Sequence, residues 1–192
     1  FATAAKLDPK FFEAQMNYAA VNLGFRGFDQ AATAYKKALE MRPNDYDAHL
    51  GLALAIRGPI TGAEANYDQL VAAAQAELDA AKKIDPNRPD AYYNEGILTQ
   101  EFKAKAGGPK EKTIASLKEA KSIFQTFLEK ASGKPEYDGV VKRVKGDGSK
   151  KDLGRLGDID DTIAFLELDA NAQKDAVNQS SADAASEGEK KE

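Results

Sequence analysis

The chain has 192 residues, a net charge of −4 from 27 basic and 31 acidic side chains, and no cysteine. Without cysteine it has no disulfides and no thiolate metal sites. Its balanced charge gives no reason to expect nucleic acid or an anionic membrane as the main ligand, and no apolar run is long enough to span a bilayer.

Helical periodicity without strand-type alternation predicts an all-α protein. In chain order, helices are predicted over residues 1–6, 11–23, 29–41, 46–57, 63–84, 90–106, 110–131, 137–144 and 158–169. Gly24 and Gly58-Pro59 are predicted stops, because proline removes a backbone donor and clashes with the preceding turn. Asp29 is a predicted N-cap, and Pro43-Asn44-Asp45 supplies the next start signal. The first helix looks truncated, so we expect more sequence upstream of Phe1.

The later segments depart from even spacing. Pro43 and Pro86 lie 43 residues apart, and we predict that the extra residues add turns to the front of helix 63–84. Residues 146–157, rich in glycine and lysine, are predicted to form a loop, after which Asp158 or Asp160 caps the last helix. Residues 171–192 hold too few bulky apolar side chains to offset the entropy of ordering, so they are predicted to be a disordered tail.

A repeated unit underlies this pattern. Pro9 and Pro43 lie 34 residues apart, and similar segments precede Pro9, Pro43 and Pro86. A 34-residue period closed by proline is typical of a helix–turn–helix unit that stacks on copies of itself. Small residues at the predicted helix crossings are Ala19, Ala53, Gly96, Ala31, Ala74 and Ala120. Late in the second helices come the large residues Phe1, Tyr35, Leu78 and Phe124, followed by Ala4, Ala38 and Ala81.

Residues 1–131 therefore resemble the tetratricopeptide repeat (TPR) family. Some slots depart from the family pattern: Gln15 and His49 replace an aromatic residue, Glu95 replaces an apolar one and Phe127 an alanine. The resemblance implies a TPR-like α-solenoid of antiparallel helix pairs with two lengthened repeats and a C-terminal capping helix. The repeat domain would span residues 1–170, divided into 1–9 (truncated), 10–45, 46–88, 89–135 and a cap over 136–170, before the tail at 171–192.

What the resemblance implies about function is a non-enzymatic scaffold or adaptor that binds a peptide or helix in a concave groove. Carried over by position, the groove residues are Met16, Asn17, Ala20, Leu50, Leu54, Tyr93, Asn94 and Ile97. This apolar lining suits an amphipathic helix or an extended segment, and its asparagines can hydrogen-bond a peptide backbone. Family members that bind a C-terminal carboxylate use basic residues at slots that here hold Met16, Asp47, Leu50 and Asp90. We therefore do not expect that binding mode.

An alternative is an accessory or regulatory TPR segment of a larger enzyme or of an envelope secretion or motility machine. The long alanine-rich helices are similar in style to TPR lipoproteins of bacterial gliding and envelope complexes, which favours the bacterial periplasm or envelope over the cytoplasm. The expected partner is a protein or peptide, with no nucleic acid, membrane span, metal or cofactor. Partner identity and oligomeric state stay open.

Four features could carry other roles. His49, the only histidine, falls in a helix packing slot, which favours packing over catalysis. Asp158, Asp160 and Asp161 lack the glycine-centred turn and distal glutamate of a calcium loop. Residues 130–155 are locally basic, which indicates a solvated surface or a contact with an acidic partner, a phospholipid surface or the chain's own tail. Helix 158–169 could cap the stack or plug the groove.

Overall fold

The computed structural model describes residue 3 and residues 11–104, 108–149 and 151–169. Within them are eight α-helices: α1 (Phe12–Gly24), α2 (Phe28–Met41), α3 (Tyr46–Arg57), α4 (Tyr67–Ile84), α5 (Pro89–Leu98), α6 (Lys110–Ala131), α7 (Asp138–Lys145) and α8 (residues 154–169). A π-helical segment, Thr99–Lys103, extends α5, and the 3₁₀ turn Pro135–Tyr137 precedes α7. These residues form no β-strand, which confirms the all-α class.

Helices that follow one another in the chain pack against one another from α1 to α6. Three apolar clusters fill the space between them, the first centred on α1–α3, the second on α3–α5 and the third on α5–α8. Each cluster draws on consecutive helices, so the described part of the chain is a series of packed helices and not a core that gathers distant segments.

Most predicted helix ends are confirmed. Helix α1 ends at Gly24 and α3 at Arg57, directly before Gly58-Pro59. Asp45 caps α3, since its Oδ1 accepts a hydrogen bond of 2.8 Å from the Ala48 N–H. The predicted cap at Asp29 is wrong. Helix α2 starts one residue earlier, and Asp29 lies in its first turn, where a carboxylate still complements the positive end of the helix dipole.

Most of the extra residues of the second repeat form a loop, and the helix itself gains only about one turn, since α4 has 18 residues against 14 in α2. Helix α4 begins at Tyr67, and the backbone before it turns at Gly62, whose φ of 96° favours glycine. The Glu64 carboxylate holds this loop by accepting hydrogen bonds from the N–H groups of Thr61 (2.7 Å) and Gly62 (2.9 Å). The Thr61 hydroxyl donates a further bond of 2.6 Å, so the loop competes locally with helix formation.

Helix α8 starts at residue 154, four residues before the predicted start at Asp158. Asp158 therefore lies inside the helix and is no N-cap, and Asp160 pairs with Lys121 at 2.6 Å. The loop that starts at Gly146 is therefore shorter than the predicted span of residues 146–157. Its glycines allow two backbone segments to approach each other closely. A Cβ added to Gly154, whose φ is 61°, would stand 2.2 Å from the Gly146 nitrogen.

The packing slots identified in the sequence are buried. All six small crossing residues lie in the interior, as do Tyr35, Leu78, Phe124, Ala38 and Ala81. Large side chains press onto small residues: a Cβ on Gly51 would lie 2.2 Å from the Tyr35 ring, and one on Gly96 would lie 2.5 Å from Phe124. Such close approach requires residues without bulk at the crossing. Phe1, Ala4, Pro9 and the predicted disordered tail at 171–192 lie outside the described residues.

Two departures from the repeat pattern have structural partners. The Glu95 side chain is buried, and its Oε1 accepts hydrogen bonds of 2.7 Å from both Gln75 Nε2 and Lys82 Nζ on α4. Phe127 is fully buried in the third cluster, where its ring lies 5.3 Å from that of Tyr93. A charge can occupy Glu95's position because the neighbouring helix supplies both a cation and an amide donor.

Candidate partner-binding surface

The predicted groove residues all lie on α1, α3 and α5, the first members of the helix pairs. We call this set the first-helix surface; it comprises Met16, Asn17, Ala20, Leu50, Leu54, Tyr93, Asn94 and Ile97. Helix α1 contacts α3, and α3 contacts α5. The fold thus brings these three helices side by side, so that residues far apart in the sequence lie on neighbouring elements.

On α1 and α3 the surface is partly open. Asn17 and Ala20 are exposed, while Leu54 is half-buried. Met16 packs against the first apolar cluster and Leu50 against the second, so each contributes to the core with part of its side chain. This portion combines a polar amide with apolar side chains. Both the amide and part of the apolar side-chain surface remain accessible to solvent.

On α5 the surface is more strongly bound into the core. Tyr93 is half-buried and packs on Phe124 and Phe127, with ring centroids 6.2 and 5.3 Å away. Asn94 Nδ2 donates to the Asp90 carbonyl at 2.9 Å. Ile97 is 9% exposed and belongs to the third cluster, so most of its side chain is packed against other residues.

Arg57, which sequence reasoning did not single out, joins two of the first helices. Its Nη1 donates to the Asn94 carbonyl at 3.1 Å, which ties the end of α3 to α5. Burial lowers the pKa of the guanidinium from its usual value, and the nearby Glu101 carboxylate opposes that change. A helix-terminal arginine is common as a solvated residue, so the sequence held no signal for this bridge.

The two acidic residues at the family's carboxylate-gripping slots are occupied by partners within the protein. Asp47 accepts from Arg88 at 2.7 Å, and Asp90 accepts from the Tyr137 hydroxyl at 2.8 Å. The Arg88 guanidinium also stacks 3.8 Å over the Tyr46 ring. Burial, opposed by the hydrogen bond from the Ala91 N–H, raises the pKa of Tyr46 to about 12. Two carboxylates at these slots would repel a peptide carboxylate.

His49 lies between acceptors from the protein itself. Its Nδ1 stands 2.6 Å from Glu77 Oε2, and its Nε2 stands 2.9 Å from the Pro43 carbonyl oxygen. Both ring nitrogens are thus engaged, and the ring connects α3 to α4 and to the preceding turn. A protonated imidazole can donate to both acceptors, and a neutral one to a single acceptor.

A basic cleft lies at the α5 end of the first-helix surface. It measures about 640 Å³ and is lined by Tyr93, Gly139, Lys142, Arg143, Lys151, Asp152, Leu153, Gly154, Arg155 and Asp158. We call it the basic cleft. The basic run predicted between residues 130 and 155 therefore folds partly around a recess, and Tyr93 is shared by the recess and the first-helix surface.

Helix α8 packs on α6. Ile159 and Ile163 are buried in the third cluster, while Lys121–Asp160 (2.6 Å) and Lys118–Glu167 (3.2 Å) flank them. Arg155 binds Gln100 and Glu101 at the end of α5, each at 2.8 Å. These contacts lie on α6 and on the segment that follows α5, while the third cluster also joins α8 to Ile97 and Tyr93 of the first-helix surface.

Some general properties follow from the described residues. No helix among them is long and apolar enough to cross a membrane. The same residues hold no group of three histidine or acidic side chains placed to bind a metal ion.

Neither the protein-family models nor the curated proteins with which the chain was compared match it. The fold itself defines the class, an all-α protein of consecutively packed helices.

Proposed function

We propose that the protein is a non-enzymatic, TPR-like scaffold or adaptor that binds a peptide or helix on the first-helix surface. The observation that supports this most directly is the incomplete burial of Asn17, Ala20, Leu50 and Leu54 on two contacting helices. The small crossing residues are fully used in packing, whereas these four positions retain accessible surface.

The chemistry of the surface favours a partner with an apolar face. Leu50 and Leu54 are one helical turn apart on α3, which suits apolar side chains spaced along a bound helix. Asn17 can donate to and accept from a peptide backbone. Asp47 and Asp90 stand at slots where carboxylate-gripping family members carry basic residues, so these two positions offer a terminal carboxylate no cation.

The test is capture of partners from a lysate by the full chain and by an Ala20→Arg variant. Ala20 is exposed, so the change should leave folding intact while placing bulk and charge on the surface. Ala73→Arg, at an exposed position inside α4, is the matched control. We expect Ala20→Arg to lose partners that the native chain and Ala73→Arg retain. An unchanged set of partners in Ala20→Arg would refute the proposed surface.

A further inference from the structure

Positive side chains from two parts of the chain line the basic cleft. Helix α7 supplies Lys142 and Arg143, the chain leading into α8 supplies Lys151, and the first turn of α8 supplies Arg155. Two carboxylates, Asp152 and Asp158, line the same recess. Four cations therefore face a shared volume against two anions, within a chain whose overall charge is negative.

Most of this positive charge forms no ion pair among the described residues, although Lys142 interacts electrostatically with Asp147. Arg155 pairs with Glu101 at 2.8 Å. Within the part of the chain that the structure describes, no carboxylate forms an ion pair with Lys142, Arg143 or Lys151. Arg143 Nε donates to the Gly139 carbonyl of its own helix, at 3.3 Å. An excess of cations over anions around a recess raises the local concentration of anionic ligands.

Helix stability alone does not account for the arrangement. Lys142 and Arg143 lie in the last turn of α7, where positive charge complements the helix dipole. Lys151 lies outside any helix and gains nothing from that dipole. The recess of about 640 Å³ also lies within the usual size of ligand sites, roughly 300–1,000 Å³.

We propose that the basic cleft binds an acidic segment of the protein partner, with Asp or Glu carboxylates as the ligand groups. This inference rests on the proposed function, because Tyr93 belongs to both the cleft and the first-helix surface. A partner lying along α1, α3 and α5 would reach the cleft at Tyr93. The Arg143 guanidinium can bind a carboxylate through two parallel hydrogen bonds, and the lysines add charge around it.

The cations line a recess and do not lie on one flat face. We therefore expect a peptide segment with several carboxylates to contact more of them at once than a planar bilayer would. Gly139 lies in the wall, and a Cβ added there would meet no atom within 4 Å. A larger side chain can therefore be placed at this lining position without a steric clash.

The experiment measures binding of a fluorescein-labelled hexaglutamate amide to the full chain by fluorescence polarisation, with hexaglutamine as the neutral probe. The variant Lys142→Gln/Arg143→Gln/Lys151→Gln removes the three unpaired cations. The control Lys36→Gln/Lys37→Gln/Lys83→Gln removes equal charge from exposed positions on α2 and α4. We expect the cleft variant to bind at least about fivefold more weakly and the control to stay within about twofold of the native chain.

A second variant tests shape independently of charge. Gly139→Leu keeps every cation and places a side chain in the recess, so it should also weaken hexaglutamate binding. Thermal melts of each variant confirm folding. Equal losses in the cleft and control variants would overturn the proposal, as would absent hexaglutamate binding or binding only to phosphatidylserine vesicles or inorganic phosphate.

The outcomes separate the two proposals. If the cleft variants bind hexaglutamate normally while Ala20→Arg still loses partners, the cleft assignment fails and the proposed function stands. If the cleft variants lose hexaglutamate binding while Ala20→Arg keeps every partner, the cleft is an anion site and the first-helix surface is wrong.

Discussion

The helix pairs α1–α4 and the C-terminal helices α6–α8 form their cores from different side chains. Between α1 and α4 the interior consists largely of alanine, with Tyr35 pressed onto Gly51. Between α6 and α8 it holds Phe124, Phe127, Ile159 and Ile163. Three lysine–carboxylate pairs join α6 to α8: Lys110–Asp169, Lys118–Glu167 and Lys121–Asp160.

The difference indicates which changes each region tolerates. Where backbones approach closely, added volume is the damaging change, because a packed interior cannot yield without shifting helices. Where large side chains fill the space, removed volume is the damaging change, because a cavity remains. The exposed ion pairs on α8 add orientation and little stability.

The largest effect should follow from truncating the C-terminal core. Phe124→Ala should lower the free energy of unfolding by about 3–5 kcal/mol, because a fully buried ring is replaced by a cavity. Urea denaturation followed by circular dichroism measures the change. Phe25→Ala is the control, since that ring is 86% exposed and its loss should be nearly neutral. Equal effects at both positions would contradict the packing described for α6.

A smaller loss should follow from adding one methyl group in the stack. Gly51→Ala places a Cβ 2.2 Å from the Tyr35 ring and should cost about 1–3 kcal/mol of unfolding free energy, despite the higher helix propensity of alanine. Gly24→Ala adds the same group where no atom lies within 4 Å. Denaturation midpoints compare the two, and a stabilised Gly51→Ala protein would rule out the close approach of α2 and α3.

The Lys121–Asp160 pair should contribute less than either core change. Both side chains are partly exposed, so a double-mutant cycle to alanine should give a coupling of about 0.2–1 kcal/mol. Raising the salt concentration should reduce that coupling, because mobile ions screen exposed charges. A coupling that salt leaves unchanged would mean that the pair is far better shielded from solvent than its exposure indicates.

The smallest predicted effect is local and depends on pH. Hydrogen bonds from the Thr61 hydroxyl and the Thr61 and Gly62 N–H groups lower the pKa of Glu64 from 4.5 to about 2. The stabilisation from this lowered pKa is present above pH 4.5 and is lost as the pH falls through about 2. NMR titration of the Glu64 carboxyl should show this pKa, and Thr61→Ala should move it upward. A Glu64 pKa at its ordinary value would disprove the loop structure.

The sequence predicted what depends on spacing. Ala19, Ala31 and Ala38 sit at fixed offsets in the repeat, and the structure buries all three. Offsets of this kind report contacts between neighbouring helices, which is why the all-α class and most helix ends followed from pattern alone. The loop before α4 did not, because the hydrogen bonds of Glu64 override the helix propensity of the alanine-rich segment.

Features that depend on partners from several elements could not be predicted. The burial of Glu95 becomes favourable only when α4 brings Lys82 and Gln75 to it. The basic run was visible in the sequence, but its meeting with Tyr93 depends on how α7 and the start of α8 fold back toward α5. The spacing of residues in the sequence carries no signal for such a return. The cleft could therefore be recognised only in the three-dimensional structure.

The most direct test of partner binding on the first-helix surface is site-specific photo-crosslinking. A photoreactive amino acid at Asn17, exposed on α1, is compared in the full chain with one at Thr33, exposed on α2. We predict covalent capture of a protein partner from position 17 and none from position 33. Capture from position 33 alone, or from both positions equally, would contradict binding on the first-helix surface.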